Sequence, residues 1–383
     1  MKKRFLSLFL VLSLLVPFIS IPAFTVKVQA ASPSVSARSA VLIDAESRSI
    51  LHEKNAHERL GMASTTKIMT ALVAAEEGCL DRMIKIPKEA VGIEGSSIYL
   101  SEGEELTLRQ LIYALLLSSA NDAAVAIAIA VSGSEEAFVE LMNAKAQALG
   151  LKSTHFTNPH GLYDEEHYTT AYELAILSAK ALNDPTIREI ASTYKTTIPK
   201  ENGDSNRFLV NHNKMLKLYD GAIGLKTGFT KKTGRCLVSA AERDGLALIA
   251  VTLNAPDDWN DHCSMLNFGF ENYERVTIYE SGEFRYAFSV TNGKDSYVIL
   301  TNAESISFTL PKKRKSPSVT VYTLRRFEFA PIKKGATLGR MVCEIEGMTA
   351  DSPLIAAYDI EARTEQKKGF FERMADFISS LFS

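Results

Sequence analysis

The chain has 383 residues, of which 46% are hydrophobic and 23% charged, and its formal net charge is −2 at pH 7. This composition is that of an ordinary globular protein, and the length suffices for two domains. No basic excess is present, which argues against a nucleic-acid partner.

Residues 1–30 differ from the rest of the chain. Lys2-Lys3-Arg4 precedes an apolar run from Phe5 to Phe24, and Val28-Gln29-Ala30 provides a small-x-small pattern for cleavage. This order is typical of a secretory signal peptide; an uncleaved N-terminal anchor is the alternative, against which two prolines in the run argue. Cleavage would give a mature net charge of −6, because residues 1–30 hold four basic residues and no acidic one.

A hairpin and a helix come next. Residues 39–43 and 48–52 are predicted to be two strands around a polar turn. The helix begins near Ser64, ends at Gly78 and carries Lys67. Because residues three apart share one face of a helix, we expect Ser64 and Lys67 to stand side by side at its N-terminus.

A serine beside a lysine suits nucleophilic catalysis. A serine hydroxyl becomes a good nucleophile only when a neighbouring base takes its proton. Lysine can be that base if burial or a second cation lowers its pKa far below the usual value of about 10.4. The helix N-terminus adds backbone N–H groups where an oxyanion would form.

Polar residues interrupt the next helical region. Thr107 and Gln110 match a capping box before an apolar helix that runs into a segment carrying Ser119 and Asn121. These two residues lie between apolar runs, where an unpartnered polar group would be costly. They are therefore predicted to cap helices or to face a cleft.

The remaining pattern mixes helices with antiparallel strands. Residues 134–150 and 170–183 predict helices with polar N-caps. From Asp220 the pattern changes to strands, and an Asp-Gly turn between residues 236–241 and 246–253 favours an antiparallel hairpin. After about Thr277, short alternating stretches separated by turns predict a small β-sandwich.

The tail and one basic run bear on membrane contact. Residues 367–382 place apolar side chains at helical spacing on one face, over a segment too short and too polar to span a bilayer. An interfacial amphipathic helix is predicted, and a helix packed on its own domain is the alternative. Lys312-Lys313-Arg314-Lys315 is read as a solvated loop tip, with contact to anionic lipid or wall polymer as the alternative.

The four cysteines show no paired spacing. Export would permit disulfides, but a chain of this size does not need them, so we expect free and mostly buried thiols. They are Cys79, Cys236, Cys263 and Cys343.

Three short motifs follow one another along the chain. They are Ser64-x-x-Lys67, Ser119-x-Asn121 and Lys226-Thr227-Gly228. The first is weak alone, since Ser192-x-x-Lys195 repeats it, and Lys232-Thr233-Gly234 repeats the third. The ordered set of three is far more specific and is typical of penicillin-binding proteins and serine β-lactamases.

With these motifs placed, the chain resembles the low-molecular-mass penicillin-binding proteins of the D-alanyl-D-alanine carboxypeptidase family over nearly all of its mature length. The likeness extends to Asp220-Gly221 and to the loop Thr157–Leu162. It implies an α+β fold in which a β-lactamase/transpeptidase-like catalytic domain has an antiparallel sheet flanked by helices. The implied divisions are a signal peptide (1–30), the catalytic domain (31–277), a small all-β sandwich (278–363) and an amphipathic membrane-anchor helix (364–383).

The resemblance also implies roles for the first two motifs. Ser64 would be the acylated nucleophile and Lys67 its general base. Ser119 and Asn121 would shuttle protons and hold Lys67 and the substrate amide. The oxyanion hole would be the backbone N–H groups of Ser64 and Phe229.

The third motif would bind the substrate. Lys226, as a fixed cation, and Thr227 would hold the terminal carboxylate of the peptide, and Gly228 would let the substrate backbone lie close to the strand. Lys226 is preferred to Lys232, because a strand-like stretch and Asp220-Gly221 precede it.

The implied reaction is removal of the terminal D-alanine from peptidoglycan stem peptides, without metal or cofactor. β-Lactams would be covalent inhibitors that are turned over slowly, because the Glu-x-x-Leu-Asn pattern of class A β-lactamases is absent. Glu140-Leu141-Met142-Asn143 comes nearest but lacks the spacing. Endopeptidase and transpeptidase activities use the same residues, and the domain layout favours the carboxypeptidase.

Two readings of other kinds stay open. A metallopeptidase is one, since His155, His160 and His167 cluster with acidic residues 164–166, although their spacing matches no metal motif. A membrane-docked, wall-binding scaffold with a silent active site is the other, and the intact motifs argue against it. The expected location is the outer face of the bacterial cytoplasmic membrane, held there by the C-terminal helix.

Overall fold

A computed structural model describes most of the chain after the predicted signal peptide. The described residues are 32–76, 78–200, 205–312, 317–323, 325–345, 347–363, 374 and 377–380. The signal peptide, residues 313–315 of the basic run and most of the predicted tail helix lie outside them.

Apart from a few helical residues in the C-terminal tail, the α-helices of the described residues belong to the N-terminal part. They are α1 (Lys67–Glu76), α2 (Leu108–Leu117), α3 (Asn121–Ser132), α4 (Glu135–Ala148), α5 (Ala171–Leu182), α6 (Pro185–Ser192), α7 (Met215–Leu218) and α8 (Asp258–Asn272).

The strands divide between the two parts of the chain. Those of the N-terminal part are β1 (Ser39–Asp44), β2 (Ile50–Lys54), β3 (Met83–Lys85), β4 (Glu105–Thr107), β5 (Lys195–Lys200), β6 (Ser205–Val210), β7 (Ala222–Thr230), β8 (Gly234–Arg243) and β9 (Leu246–Leu253). Those of the C-terminal part are β10 (Tyr273–Tyr279), β11 (Tyr286–Thr291), β12 (Tyr297–Asn302), β13 (Ile306–Pro311), β14 (Ser318–Thr323), β15 (Glu328–Phe329), β16 (Thr337–Ile345) and β17 (Met348–Ala356).

A five-stranded antiparallel sheet lies at the centre of the N-terminal part. Its strand order is β2-β1-β9-β8-β7. Val41 of β1 lies opposite Val251 of β9, and Lys226 of β7 lies opposite Val238 of β8. This order places the third sequence motif on β7, an edge strand of the sheet. The outer side of β7 is not paired with another strand of this sheet.

Apolar side chains fill both faces of this sheet. On one face, residues such as Val41 and Val251 join a large core with helices α1 to α6. On the other face, Leu42 and Leu248 pack against Met265 of α8. Each fully buried aliphatic side chain contributes roughly 1.5–3 kcal/mol. The predicted antiparallel sheet with helices on both faces is confirmed.

The C-terminal part is β-rich, as predicted. Strands β10 and β13 form a two-stranded sheet, and a six-stranded sheet has the order β14-β16-β17-β12-β11-β15. Both sheets contribute to one apolar core that includes Leu300, Phe308 and Met341. Thr309 Oγ1 of β13 donates a 2.8 Å hydrogen bond to Asp44 Oδ2 of β1, which ties the two parts together.

The local signals of several helices are confirmed in detail. The Thr107 side chain accepts from Gln110 N while the Gln110 side chain accepts from Thr107 N, so the capping box is complete. Ser134 and Thr170 cap α4 and α5. Helices α6 and α8 and the hairpin β5–β6 were not predicted.

The C-terminal tail is described at a few positions. Met374 and Phe377–Ser380 are helical, and the side chains of Phe377 and Ile378 are exposed. Within the described residues, no helix combines the length and the apolar character needed to cross a bilayer.

Candidate active site

Ser64 lies in a tight turn that leads into α1, a helix of the large core. A 3₁₀ turn at Ala63–Thr66 precedes α1, one residue from the helix start that the sequence predicts. Ala63 has φ +47°, a left-handed conformation that persists only where the surrounding structure holds it in place. Gly161 packs directly against this residue, because a Cβ at Gly161 would lie 2.0 Å from the Ala63 carbonyl oxygen.

Lys67 is fully buried beneath this turn. Its Nζ lies 3.0 Å from Ser64 Oγ, 2.7 Å from Asn121 Oδ1 and 2.5 Å from the His160 carbonyl oxygen. The expected pairing of Ser64 with Lys67 is therefore present, and Asn121 belongs to the same hydrogen-bonded cluster.

The surroundings of Lys67 favour the neutral amine. Burial lowers its pKa well below 10.5, and Lys226 lowers it further, while Asp122 acts in the opposite direction. A neutral amine has two N–H donors and one lone pair. Asn121 Oδ1 and the His160 carbonyl are oxygens that only accept, so they take the two donors. The lone pair is left to accept the proton of the Ser64 hydroxyl.

Ser119 and Asn121 lie at the junction of α2 and α3. Ser119 is buried, with φ +59°, and Asn121 is the first residue of α3. Asn121 Nδ2 donates a 2.6 Å hydrogen bond to the Glu94 carbonyl oxygen, and its backbone N donates to Ser96 O. These bonds fix the amide with its oxygen towards Lys67.

Strand β7 presents the third motif to this cluster. Lys226 is buried, and its Nζ donates a 3.0 Å hydrogen bond to the Thr227 carbonyl oxygen. A Cβ at Gly228 would lie 3.0 Å from Ser64 N, so the strand and the nucleophile turn are in contact. A side chain here would press on backbone atoms of the turn at 3.0–3.1 Å, so glycine is the residue that allows this approach without displacing them.

The charge of Lys226 differs from what the sequence suggested. Burial lowers its pKa to about 7, so its amine is only partly protonated at neutral pH. A bound carboxylate would favour the charged form. Lys226 would therefore gain its full charge only together with such a ligand.

The repeated motifs lie elsewhere. Ser192 ends α6 and Lys195 begins β5, so no single helix carries this pair. Ser192 Oγ donates to the Arg188 carbonyl oxygen at 2.6 Å. Lys232 is exposed on the turn between β7 and β8, with its Nζ 5.9 Å from the centre of the Tyr163 ring.

A cleft of about 310 Å³ opens above Ser64. Five of its lining residues were singled out in the sequence: Ser64, Ser119, Thr227, Gly228 and Phe229. Five others were not: Ser96, His212, Arg235, Asp258 and Trp259. These five residues belong to none of the sequence motifs, and long-range contacts bring them to the cleft. The only signals in the sequence were the charge of Arg235 and the fact that Trp259 is the single tryptophan of the chain. A larger surface depression along residues 53–58 contains no motif residue.

Two of the loop histidines contact the residues around Ser64. The His160 carbonyl accepts from Lys67, and His167 Nε2 lies 2.7 Å from Thr66 Oγ1. Burial is the main cause that lowers the pKa of His160 to about 3 and that of His167 to about 4, so both rings are neutral. In the described part of the chain, no group of three His, Cys, Asp or Glu residues could hold a metal ion.

The four cysteines are free thiols. Cys236 and Cys343 are buried, Cys263 is half-buried and Cys79 is exposed. Burial raises the pKa of the Cys236 thiol to about 11, which keeps it protonated and unreactive.

Two family models match the chain. The model of D-alanyl-D-alanine carboxypeptidase matches residues 26–257, and that of the penicillin-binding protein 5 C-terminal domain matches residues 273–362. The chain is 38% identical to the D-alanyl-D-alanine carboxypeptidase DacF of Bacillus subtilis, over 85% of this chain and 86% of that protein. It is 33% identical to DacC of Escherichia coli, over 94% and 92%.

Solved structures show the same architecture. Penicillin-binding protein 5 from Haemophilus influenzae superposes with a TM-score of 0.72 at 29% identity, covering 87% of this chain and all of that one. The peptidoglycan synthesis regulatory factor PBP3 from Streptococcus pneumoniae superposes with a TM-score of 0.75 at 26% identity, covering 86% and 100%.

Proposed function

This chain belongs to the D-alanyl-D-alanine carboxypeptidase family, and we propose that it removes the terminal D-alanine from peptidoglycan stem pentapeptides through an acyl-enzyme on Ser64. The observation that carries the proposal is the buried Lys67, whose lone pair is left for the Ser64 hydroxyl. Penicillins and other β-lactams are then covalent inhibitors of the same serine.

Substrate binding places the peptide end between β7 and the α2–α3 junction. The terminal carboxylate binds Lys226 and the Thr227 hydroxyl, and it raises the proton occupancy of Lys226. The peptide backbone lies along β7 at Gly228. The carbonyl carbon of the penultimate D-alanine then faces Ser64 Oγ.

Acylation follows from this arrangement. As Ser64 Oγ bonds to the carbonyl carbon, its proton passes to Lys67, and the backbone N–H groups of Ser64 and Phe229 stabilise the oxyanion. When the peptide bond breaks, the amine of the departing D-alanine receives a proton from Lys67 by way of the Ser119 hydroxyl. Asn121 holds Lys67 and the substrate amide throughout.

Deacylation reuses the same base. Lys67 takes a proton from an entering water as the water attacks the ester carbonyl, and it passes this proton to Ser64 Oγ when the ester bond breaks. An opened β-lactam stays tethered, because its former amide nitrogen is part of the acyl group. The opened ring therefore remains in the place that the departing D-alanine would vacate, so we expect slow deacylation.

Mass spectrometry after incubation with benzylpenicillin tests the nucleophile. The adduct is expected on the peptide that carries Ser64 and is expected to vanish in Ser64→Ala. Ser192→Ala is the matched control, since it alters the repeated motif. An adduct on another residue, or release of D-alanine by Ser64→Ala, would overturn the assignment.

We also propose that the protein is exported and held peripherally on the outer face of the cytoplasmic membrane by residues 364–383. Support comes from the signal-peptide pattern and from the exposed apolar side chains of Phe377 and Ile378. Co-sedimentation with anionic vesicles is expected for the full mature chain and not for a chain that ends at residue 363. Equal sedimentation of both would refute the anchor.

A further inference from the structure

Two phenylalanines stand exposed side by side on the β-rich part of the chain. Phe327 is 45% exposed, and Phe329 of β15 is 56% exposed. Their rings pack edge to face with centroids 5.5 Å apart. A single exposed apolar side chain is ordinary, but this phenylalanine pair presents a continuous apolar surface. Such a surface gains free energy when another apolar phase covers it.

The backbone that carries the phenylalanine pair is fixed to the rest of the domain. Strand β15 pairs in parallel with β11, and Phe329 lies opposite Thr291. Ala330 N donates a 3.0 Å hydrogen bond to the Thr291 carbonyl oxygen, and Ile332 and Ile360 exchange backbone hydrogen bonds of 2.9 and 2.8 Å. A surface that covers the pair therefore does not have to order this segment first.

The chain leaves the β-rich part beside this pair. Arg363 N donates a 2.9 Å hydrogen bond to the carbonyl oxygen of Asn292, the residue after Thr291. Two steps across hydrogen-bonded backbone and one step along it connect Phe329 to Arg363, so their Cα atoms lie within about 15 Å of each other. The phenylalanine pair and the start of the predicted anchor, residues 364–383, therefore share one region of the surface.

The length of the connection limits how far this region can lie from a membrane that holds the anchor. The apolar positions of the predicted anchor helix begin at Phe370, seven residues after Arg363. Seven residues span at most about 25 Å even when fully extended. With the anchor in the interface, as proposed, Arg363 lies within that distance of the bilayer. The surface around Arg363 includes the phenylalanine pair.

The charges around the pair suit an anionic surface. Two exposed arginines, Arg325 and Arg326, directly precede it. Arg325 is partly balanced by Glu328, whose Oε1 lies 3.4 Å from Nη1. Basic side chains beside exposed aromatic rings are typical of surfaces that bind anionic lipids. The segments that form this region hold six basic and four acidic residues, counted over residues 292–295, 325–334 and 359–363.

We propose that the phenylalanine pair and its two arginines form a second membrane contact, which docks the β-rich domain on the outer leaflet of the cytoplasmic membrane. The rings enter the interface between head groups and acyl chains, and the arginines bind lipid phosphates. The pair is too small to hold the chain alone and acts together with the anchor, so that two linked contacts restrict the orientation of the domain. This inference rests on the proposed peripheral location.

Binding of the full mature chain to vesicles of phosphatidylglycerol and phosphatidylcholine in equal parts tests the contact. Phe327→Ser combined with Phe329→Ser should raise the lipid concentration for half-maximal binding about tenfold or more, because two rings no longer enter the interface. Arg325→Gln combined with Arg326→Gln should raise it about fivefold at low salt and by less at high salt. Phe208→Ser removes a similarly exposed ring on β6 and is the matched control, which should bind as the wild type.

A tryptophan reporter shows where the pair lies. Trp259 is the single native tryptophan, so Phe327→Trp adds one probe whose signal is obtained by subtracting that of the wild type. On vesicles the emission of this probe should shift to shorter wavelengths, and lipids brominated on their acyl chains should quench it. Phe208→Trp should show neither change.

The outcomes separate this inference from the proposals on which it builds. Equal vesicle binding by the double serine variant and the wild type refutes the contact and leaves the anchor standing. A probe at position 327 that brominated lipids do not quench also refutes it, and blue-shifted emission without vesicles would show that another part of the chain covers the pair. If the double serine variant does not fold, the probe decides. A wild type that does not bind vesicles refutes the peripheral location, and this inference with it, while release of D-alanine is tested independently.

Discussion

Replacing Lys226 with methionine should stabilise the protein near neutral pH while it disables substrate binding. Methionine has a similar length and no charge, so it removes the ammonium that burial disfavours. The expected gain depends on pH, because it follows from the different proton affinities of the folded and unfolded states.

The sign follows from the two pKa values. The unfolded chain keeps a proton on Lys226 up to its ordinary pKa of 10.5, whereas the folded chain keeps it only up to a pKa of about 7. Between these values the unfolded state binds more protons, so the stability of the wild type rises with pH. The penalty of burying Lys226 is greatest below pH 7 and fades towards pH 10.5.

The size follows from about 1.36 kcal/mol per pKa unit. At pH 7 the penalty is on the order of 4 kcal/mol, and at pH 9 it is about 2 kcal/mol. The lost hydrogen bond from Nζ to the Thr227 carbonyl offsets about 1 kcal/mol at any pH. Lys226→Met also removes the repulsion between Lys226 and Lys67, which adds to the expected gain in stability.

Urea unfolding followed by circular dichroism at pH 6, 7, 8 and 9 measures this difference. Lys226→Met should exceed the wild type by the largest margin at pH 6–7 and by clearly less at pH 9. Lys232→Met, on the exposed turn, is the control for replacing a lysine with methionine. A difference that does not vary with pH, or a variant less stable than the wild type at every pH, would refute the reasoning.

Two further predictions concern Lys67 and the 3₁₀ turn at Ala63–Thr66. Lys67→Met should slow acylation by benzylpenicillin at least about a hundredfold, as expected for a lost general base, and an unchanged stopped-flow rate would contradict that role. Gly161→Ala should lower the melting temperature far more than Gly150→Ala. Both glycines have positive φ, but a Cβ at Gly161 would strike the Ala63 carbonyl, whereas Gly150 has nothing within 4 Å. Equal losses in the two variants would show that conformational strain alone matters.

Local patterns predicted a large part of the fold. The capping box at Thr107, the caps at Ser134 and Thr170 and the Asp-Gly turn act over a few residues, so they can be read directly from the sequence. Helix α8 was missed although it is longer than its neighbours α6 and α7. Its mean apolar character is low, so its identity depends on packing against Leu42 and Leu248 rather than on its own pattern.

The candidate site, like the fold, could be predicted only in part. Ser64, Lys67 and the other motif residues could be named from the sequence because each motif is short. The contacts of Lys67 with Asn121 and His160 join segments far apart in the chain, and only the fold brings them together. The same holds for Asp258, whose contact with Arg235 depends on α8 beginning beside β8.

The pKa of Lys226 could not be predicted either, because it depends on how completely the fold excludes water. This has a functional consequence. Two fully charged lysines in one buried site would repel each other, and each would also lose its hydration. Both effects would destabilise the folded state. A carboxylate bound at Lys226, as proposed, would offset this repulsion when Lys226 gains its proton. The two charges would then form a neutral pair, and Lys67 would keep the neutral amine that burial favours.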